Sequence, residues 1–179
     1  MKKLARLACL LAALALSAHA APSSGGEPVE VRNGGFEQGQ EGWDAFPENG
    51  SIDETVARSG RCSAKLVVSD PLNEKVYLMR KLPVQGGAKY RIACLVRTAG
   101  VVEKAGKTRS VGAGLIVEWA DKGGKWLAAG QYACDLYGDK DWTERVCDKL
   151  RAPDQAGYAQ LYLALRGAGT AWFDDIQVE

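Results

Sequence analysis

The stretch Tyr158-Ala159-Gln160-Leu161-Tyr162-Leu163-Ala164-Leu165-Arg166 decides the fold class. Ala159, Leu161, Leu163 and Leu165 alternate with Tyr158, Gln160, Tyr162 and Arg166. A period of two places the aliphatic side chains on one face of an extended strand, whereas a helix would scatter them around its circumference. The same period recurs upstream. Cys62, Ala64, Leu66 and Val68 share one parity, as do Tyr90, Ile92, Cys94 and Val96, and Leu115, Val117 and Trp119. Near the end, Trp172, Asp174, Ile176 and Val178 share another. Turn chemistry separates the runs at Asn33-Gly34-Gly35, Glu48-Asn49-Gly50, Ser59-Gly60, Gln85-Gly86-Gly87, Lys122-Gly123-Gly124 and Gly167-Ala168-Gly169. Short strands at regular spacing with Gly-rich turns predict an all-β antiparallel sandwich of eight or more strands, a jelly roll.

The N-terminus reads differently. Met1-Lys2-Lys3-Leu4-Ala5-Arg6 is basic, Leu7 to Leu16 is apolar, and Ser17-Ala18-His19-Ala20 ends in the small-x-small pattern of a cleavage site. Residues 1–20 are therefore expected to be a secretory signal peptide, and their apolar run is too short to span a bilayer. Residues 21–28 read as a flexible small-residue linker, and residues 29–179 as a single domain.

Removing residues 1–20 takes away Lys2, Lys3, Arg6, Cys9 and His19. The 23 basic side chains less 3 leave 20 against 22 acidic ones, a net charge of −2, with four cysteines and no histidine. A chain without histidine excludes Ser-His-Asp and Cys-His catalysis and imidazole zinc sites. A slightly acidic chain lacks the footprint of a nucleic-acid binder. No later segment is apolar enough for membrane insertion, and the expected location is secreted or periplasmic. In an oxidising compartment the four thiols allow one or two disulfides. A turn around Tyr137-Gly138-Asp139-Lys140 would bring Cys134 and Cys147 together as a bridge. Cys62 and Cys94 form a second bridge or serve as small buried hydrophobes.

Several segments resemble one family in order. Asn33-Gly34-Gly35-Phe36-Glu37 followed by Gly42-Trp43 resembles the opening of carbohydrate-binding modules of the family 4/9 type, in the galactose-binding-like superfamily. The segments Ser59 to Leu66, Val84 to Tyr90, and Asp141-Trp142-Thr143 leading to Leu150-Arg151-Ala152-Pro153 follow. Ala171-Trp172-Phe173-Asp174-Asp175-Ile176-Gln177-Val178 is similar to the family's terminal strand. The resemblance implies a jelly-roll fold, an oligo- or polysaccharide ligand, and a structural Ca²⁺ held by Glu37 and Asp174 with carbonyls of the Arg58 to Cys62 turn. Asp174, sharing parity with Trp172, Ile176 and Val178, is expected to point into the sandwich, where a carboxylate needs a partner. That partner is the calcium, a basic side chain or backbone N–H groups.

Trp43, Trp142 and Trp172 fall in framework positions of the resemblance, and Trp119 shares parity with core residues. Tyr77, Trp126, Tyr132, Tyr137 and Tyr162 remain as sugar-stacking candidates. Tyr162 and Tyr77 lie opposite the aliphatic face of their runs, and Arg97, Glu118, Gln160 and Arg166 fall on non-core parities. The expected ligand-binding set is Tyr77, Arg97, Glu118, Trp126, Gln160, Tyr162 and Arg166, flat rings beside hydroxyl-reading polar groups. The carboxylates Glu118, Asp121, Asp135, Asp139 and Asp141 form no motif of a hydrolase, and the expectation is a non-catalytic protein. Two other classes stand beside a glycan-binding module. One is a structural or interaction domain with an envelope protein partner, and the other a small polysaccharide-acting enzyme.

Overall fold

A computed structural model of the chain describes residue 29 and residues 31–69, 76–102 and 112–179. The expected signal peptide and linker lie outside the described residues. Nine strands follow in order: β1 (Gly50–Asp53), β2 (Ser63–Val68), β3 (Val76–Pro83), β4 (Lys89–Val101), β5 (Gly112–Asp121), β6 (Trp126–Leu136), β7 (Gly138–Arg151), β8 (Ala156–Arg166) and β9 (Gly169–Val178). All pairings are antiparallel, in a five-stranded sheet ordered β1-β2-β9-β4-β7 and a four-stranded sheet ordered β3-β8-β5-β6. The expected all-β sandwich of jelly-roll type is the fold, with no helix among the described residues.

Alternation builds the core as read from the sequence. Leu161, Leu163 and Leu165 of β8 are fully buried, as are Leu115 and Val117 of β5 and Leu78 of β3. They meet Leu66, Ile92, Val96 and Phe173 of the opposing sheet in one apolar cluster. Trp119 belongs to this cluster and packs on Tyr90 at 6.3 Å between ring centroids. Trp43 is buried and stacks on Phe36 at 4.9 Å.

The structure departs from the sequence expectation at two places. Cys134 and Cys147 do not form a disulfide, and all four described cysteines are free and buried. The turn stands where expected, with Gly138 at φ 67°, but β6 pairs with β5 and β7 with β4, so the chain crosses between sheets there. Cys134 therefore lies in a small cluster with Ile116 and Ala164, while Cys147 lies in the inter-sheet core. Burial pushes both thiols up to about 12, which suppresses the thiolate that disulfide exchange requires.

The second correction concerns β9. Asp175, at φ 51°, breaks its alternation, and the register with β4 slips between Ala93 and Leu95. Ala171 and Phe173 face the core before the bulge, and Ile176 and Val178 after it. Trp172 therefore sits on the opposite face from Ile176, where Lys65 and Arg97 lie over its ring at 5.4 and 5.8 Å. Asp174 is fully buried, but among backbone N–H groups rather than in the apolar layer.

Candidate glycan-binding face

From Tyr158 to Arg166, the side chains on the even positions of β8 point away from the core. Cross-strand register arranges them in rows over the four-stranded sheet. One row runs Met79, Tyr162, Ile116, Tyr132, and the next pairs Tyr77 with Ala164 and Gly114. Tyr77, Tyr132, Tyr162, Glu118 and Arg166 surround a depression of about 220 Å³ floored by Ile116 and Ala164. Tyr77 and Tyr162 meet edge-to-face, with centroids 5.2 Å apart at 86°, a favourable contact that sets the two rings perpendicular to each other. The floor stays low because Ala164 is small and Gly114 has no side chain. A Cβ on Gly114 would lie 2.0 Å from the carbonyl oxygen of Ala133.

Polar groups edge the rings. The Tyr132 hydroxyl donates a short hydrogen bond to Glu118 Oε1. Burial and that bond push the Tyr132 phenol up to about 12, and burial likewise raises Tyr162, helped by Glu118 and Tyr77. Both phenols stay protonated, with their hydroxyl protons directed to Glu118 and Gln160 and their oxygens left as acceptors. Gln160 sits opposite Glu118 across β8 and β5 and accepts from the Tyr162 hydroxyl at 3.4 Å.

Five expected ligand residues thus meet on one face: Tyr77, Glu118, Tyr162 and Arg166 line the depression, and Gln160 adjoins it. Trp126 is on the same sheet, paired with Ala120 and outside the depression. Arg97 does not join them. It belongs to β4 of the other sheet and lies over Trp172, because parity assigns a side to a strand but not a strand to a sheet. Tyr132 is the residue that the expected set missed, although it is 43% exposed and lines the depression. Its neighbours Ala128, Ala129 and Gly130 offer no apolar contrast, so β6 carries no legible alternation.

The other four carboxylates are engaged elsewhere, Asp141 Oδ1 accepting the Trp142 N–H at 2.8 Å. Asp121 Oδ1 accepts the N–H groups of Gly123 and Lys125 in the β5–β6 turn, each at 2.9 Å. Asp135 pairs with Arg145, and Asp139 accepts the Gly100 N–H. Among these only Glu118 faces the depression, which leaves the arrangement suited to stacking and hydroxyl recognition.

Glu37 and Asp174 come from opposite ends of the chain and hold the same turn. Asp174 Oδ2 accepts the N–H groups of Arg58 at 2.8 Å and Ser59 at 3.2 Å, and its Oδ1 accepts that of Asp175 at 2.8 Å. Glu37 Oε1 accepts those of Arg61 and Cys62, both at 2.9 Å. Gly60 makes the close approach feasible, since its φ is +59° and a Cβ would fall 2.4 Å from Glu37 Oε1. The backbone bonds from Arg61 and Cys62 hold the Glu37 carboxyl below its ordinary range. Burial raises that of Asp174 despite its three N–H partners. Two carboxylates suit a hard cation. Among the described residues, though, no group of three or more His, Cys, Asp or Glu converges, and five N–H bonds already perform part of the clasping expected of calcium.

No family model matches the sequence, and neither does a curated protein. Solved structures match the fold. A family 16 carbohydrate-binding module shares 16% identity at a TM-score of 0.59, over 82% of this chain and 96% of that one. A family 22 xylan-binding domain from Paenibacillus barcinonensis shares 16% at 0.58, over 88% and 97%. A Stig cyclase from Fischerella sp. TAU shares 14% at 0.60, over 84% and 96%. The likeness is one of fold, shared by binding modules and a cyclase, and fold alone does not assign a ligand.

Proposed function

We propose that this is an exported, non-catalytic carbohydrate-binding protein that holds a glycan on the outer face of its four-stranded sheet. One observation carries the reading: three tyrosines from three strands converge on a shallow depression edged by Glu118, Gln160 and Arg166. Flat rings accept the C–H faces of sugars, and the planar polar groups beside them read hydroxyls. The fold shared with carbohydrate-binding modules of families 16, 22 and 61 supports it. The resemblance of the sequence motifs to the family 4/9 type supports the same reading. A structural Ca²⁺ at the Glu37–Asp174 clasp would be held by the two carboxylates and would fasten the first and last segments.

A glycan array on the mature protein, with and without calcium, tests the reading. Binding to one group of related glycans, lost in Tyr77→Ala and Tyr162→Ala with folding intact, is the expected result. A protein that binds none of them at millimolar sugar would instead be an interaction domain, with an envelope protein as its partner.

A further inference from the structure

We propose that the binding face extends beyond the tyrosine depression to a second aromatic platform at Trp126, so that it takes an interior stretch of an oligosaccharide chain rather than a terminal sugar or a disaccharide. The inference rests on the glycan-binding reading. Trp126 is 56% exposed, more than Tyr77 or Tyr132. It opens β6 opposite Ala120, on the row that continues to Tyr158 of β8.

Backbone geometry fixes the spacing. Ala120 and Ile116, the partners of Trp126 and Tyr132, are four residues apart on β5, or about 13 Å at the strand rise. Over that span β6 uses six residues, because register slips leave Leu127 and Gly130 without partners as the extra residues of two bulges. One bulge alone would turn Trp126 to the opposite side from Tyr132, and two restore the common face. The second bulge is confined to glycine. A Cβ at Gly130 would meet the Val117 carbonyl oxygen at 2.8 Å and Trp119 Nε1 at 3.1 Å. The row between the platforms carries Glu118 and Gln160 side by side, hydrogen-bonding groups for the hydroxyls of an intervening sugar. Adjacent pyranose rings in an extended chain lie less than half of 13 Å apart. Stacking on both platforms at once therefore requires more than a disaccharide.

The test is a length series, disaccharide to hexasaccharide, of β-1,4-xylo-oligosaccharides and of β-1,4-galacto-oligosaccharides, followed by calorimetry and tryptophan emission. Wild-type affinity should rise with length by about tenfold. Trp126→Ala should erase that gain and the length-dependent emission change while leaving the disaccharide untouched. Trp126→Phe, which keeps a ring, should restore part of it. Tyr162→Ala should weaken every length alike. Because Trp126 is exposed, the melting temperature of its variants should match wild type. A Trp126→Ala protein that binds the hexasaccharide as tightly as wild type overturns the second platform and leaves the tyrosine site standing. A wild type that binds no member of either series, nor any glycan on the array, overturns both.

Discussion

Replacing Asp174 with alanine removes the acceptor of three backbone N–H groups from a fully buried site. A hydrogen bond to a charged acceptor contributes about 1.5–3 kcal/mol. The sum of three overstates the loss. Arg58 and Ser59 are exposed residues of the turn, whose freed N–H groups are expected to turn to water in the variant, and the variant no longer buries a charge. The net cost is about 2–4 kcal/mol, which for a domain of this size lowers the melting temperature by roughly 5–15 °C. Glu37→Gln, which keeps one acceptor oxygen, should cost less. The two losses should not add, because both carboxylates hold residues 58–62 and freeing one end of the turn loosens the other. Thermal and urea melts of the wild type, the two single variants and the double variant measure this. An Asp174→Ala protein within about 0.5 kcal/mol of wild type, or fully additive losses, would refute the clasp. The calcium proposal rides on the same melts. The melting temperature should fall in EDTA and return with Ca²⁺ more than with Mg²⁺, and Asp174→Ala should abolish that response. A melt indifferent to EDTA leaves the clasp to the N–H bonds alone.

Three further outcomes are expected. Asp53 is partly buried, which raises its pKa, but bonds from Thr55, Trp172 and Lys65 outweigh this and hold the carboxyl far below its ordinary value. The stability it contributes is present above the ordinary aspartate value and lost as pH falls towards the folded one, so Asp53→Asn should reduce the drop in melting temperature between neutral and acid pH; an unchanged drop contradicts this. Tyr132→Phe keeps the ring but releases Glu118, and glycan binding should weaken about fivefold with the fold unaltered; unchanged affinity would remove the Tyr132–Glu118 pair from recognition. Intact mass of the exported protein should begin at Ala21, and alkylation under denaturing, non-reducing conditions should label four thiols; a mass two daltons lower per pair of unlabelled cysteines would restore a disulfide.

Some of this was legible in the sequence and some was not, for physical reasons. The alternation in Tyr158 to Arg166 gave both the buried leucines and the outward Tyr162, because one strand paired on both sides fixes both faces. The outward Tyr77 and Glu118 followed in the same way. Sheet membership was not legible, since it depends on long-range pairing. Arg97 has the right parity but the wrong sheet, and Cys134 and Cys147 flank a real turn whose arms part company. Bulges were the other blind spot. Asp175 reverses the alternation of β9, and Leu127 and Gly130 do the same in β6, hiding Tyr132. The Asn33 to Glu37 and Ala171 to Val178 motifs brought Glu37 and Asp174 to one turn, but their N–H partners emerged only from the backbone geometry.

Glycan held on the outer face of the four-stranded sheet requires opposite responses from side chains on the two sides of the sandwich. Affinity of the glycan group selected on the array is measured for wild type, Tyr162→Ala and Arg97→Ala. The last residue is an exposed side chain on the opposite face of the sandwich. Tyr162→Ala should lose at least about tenfold in affinity while folded, and Arg97→Ala should bind as wild type does. Full binding by folded Tyr162→Ala, with loss in Arg97→Ala, would place the ligand on the other sheet.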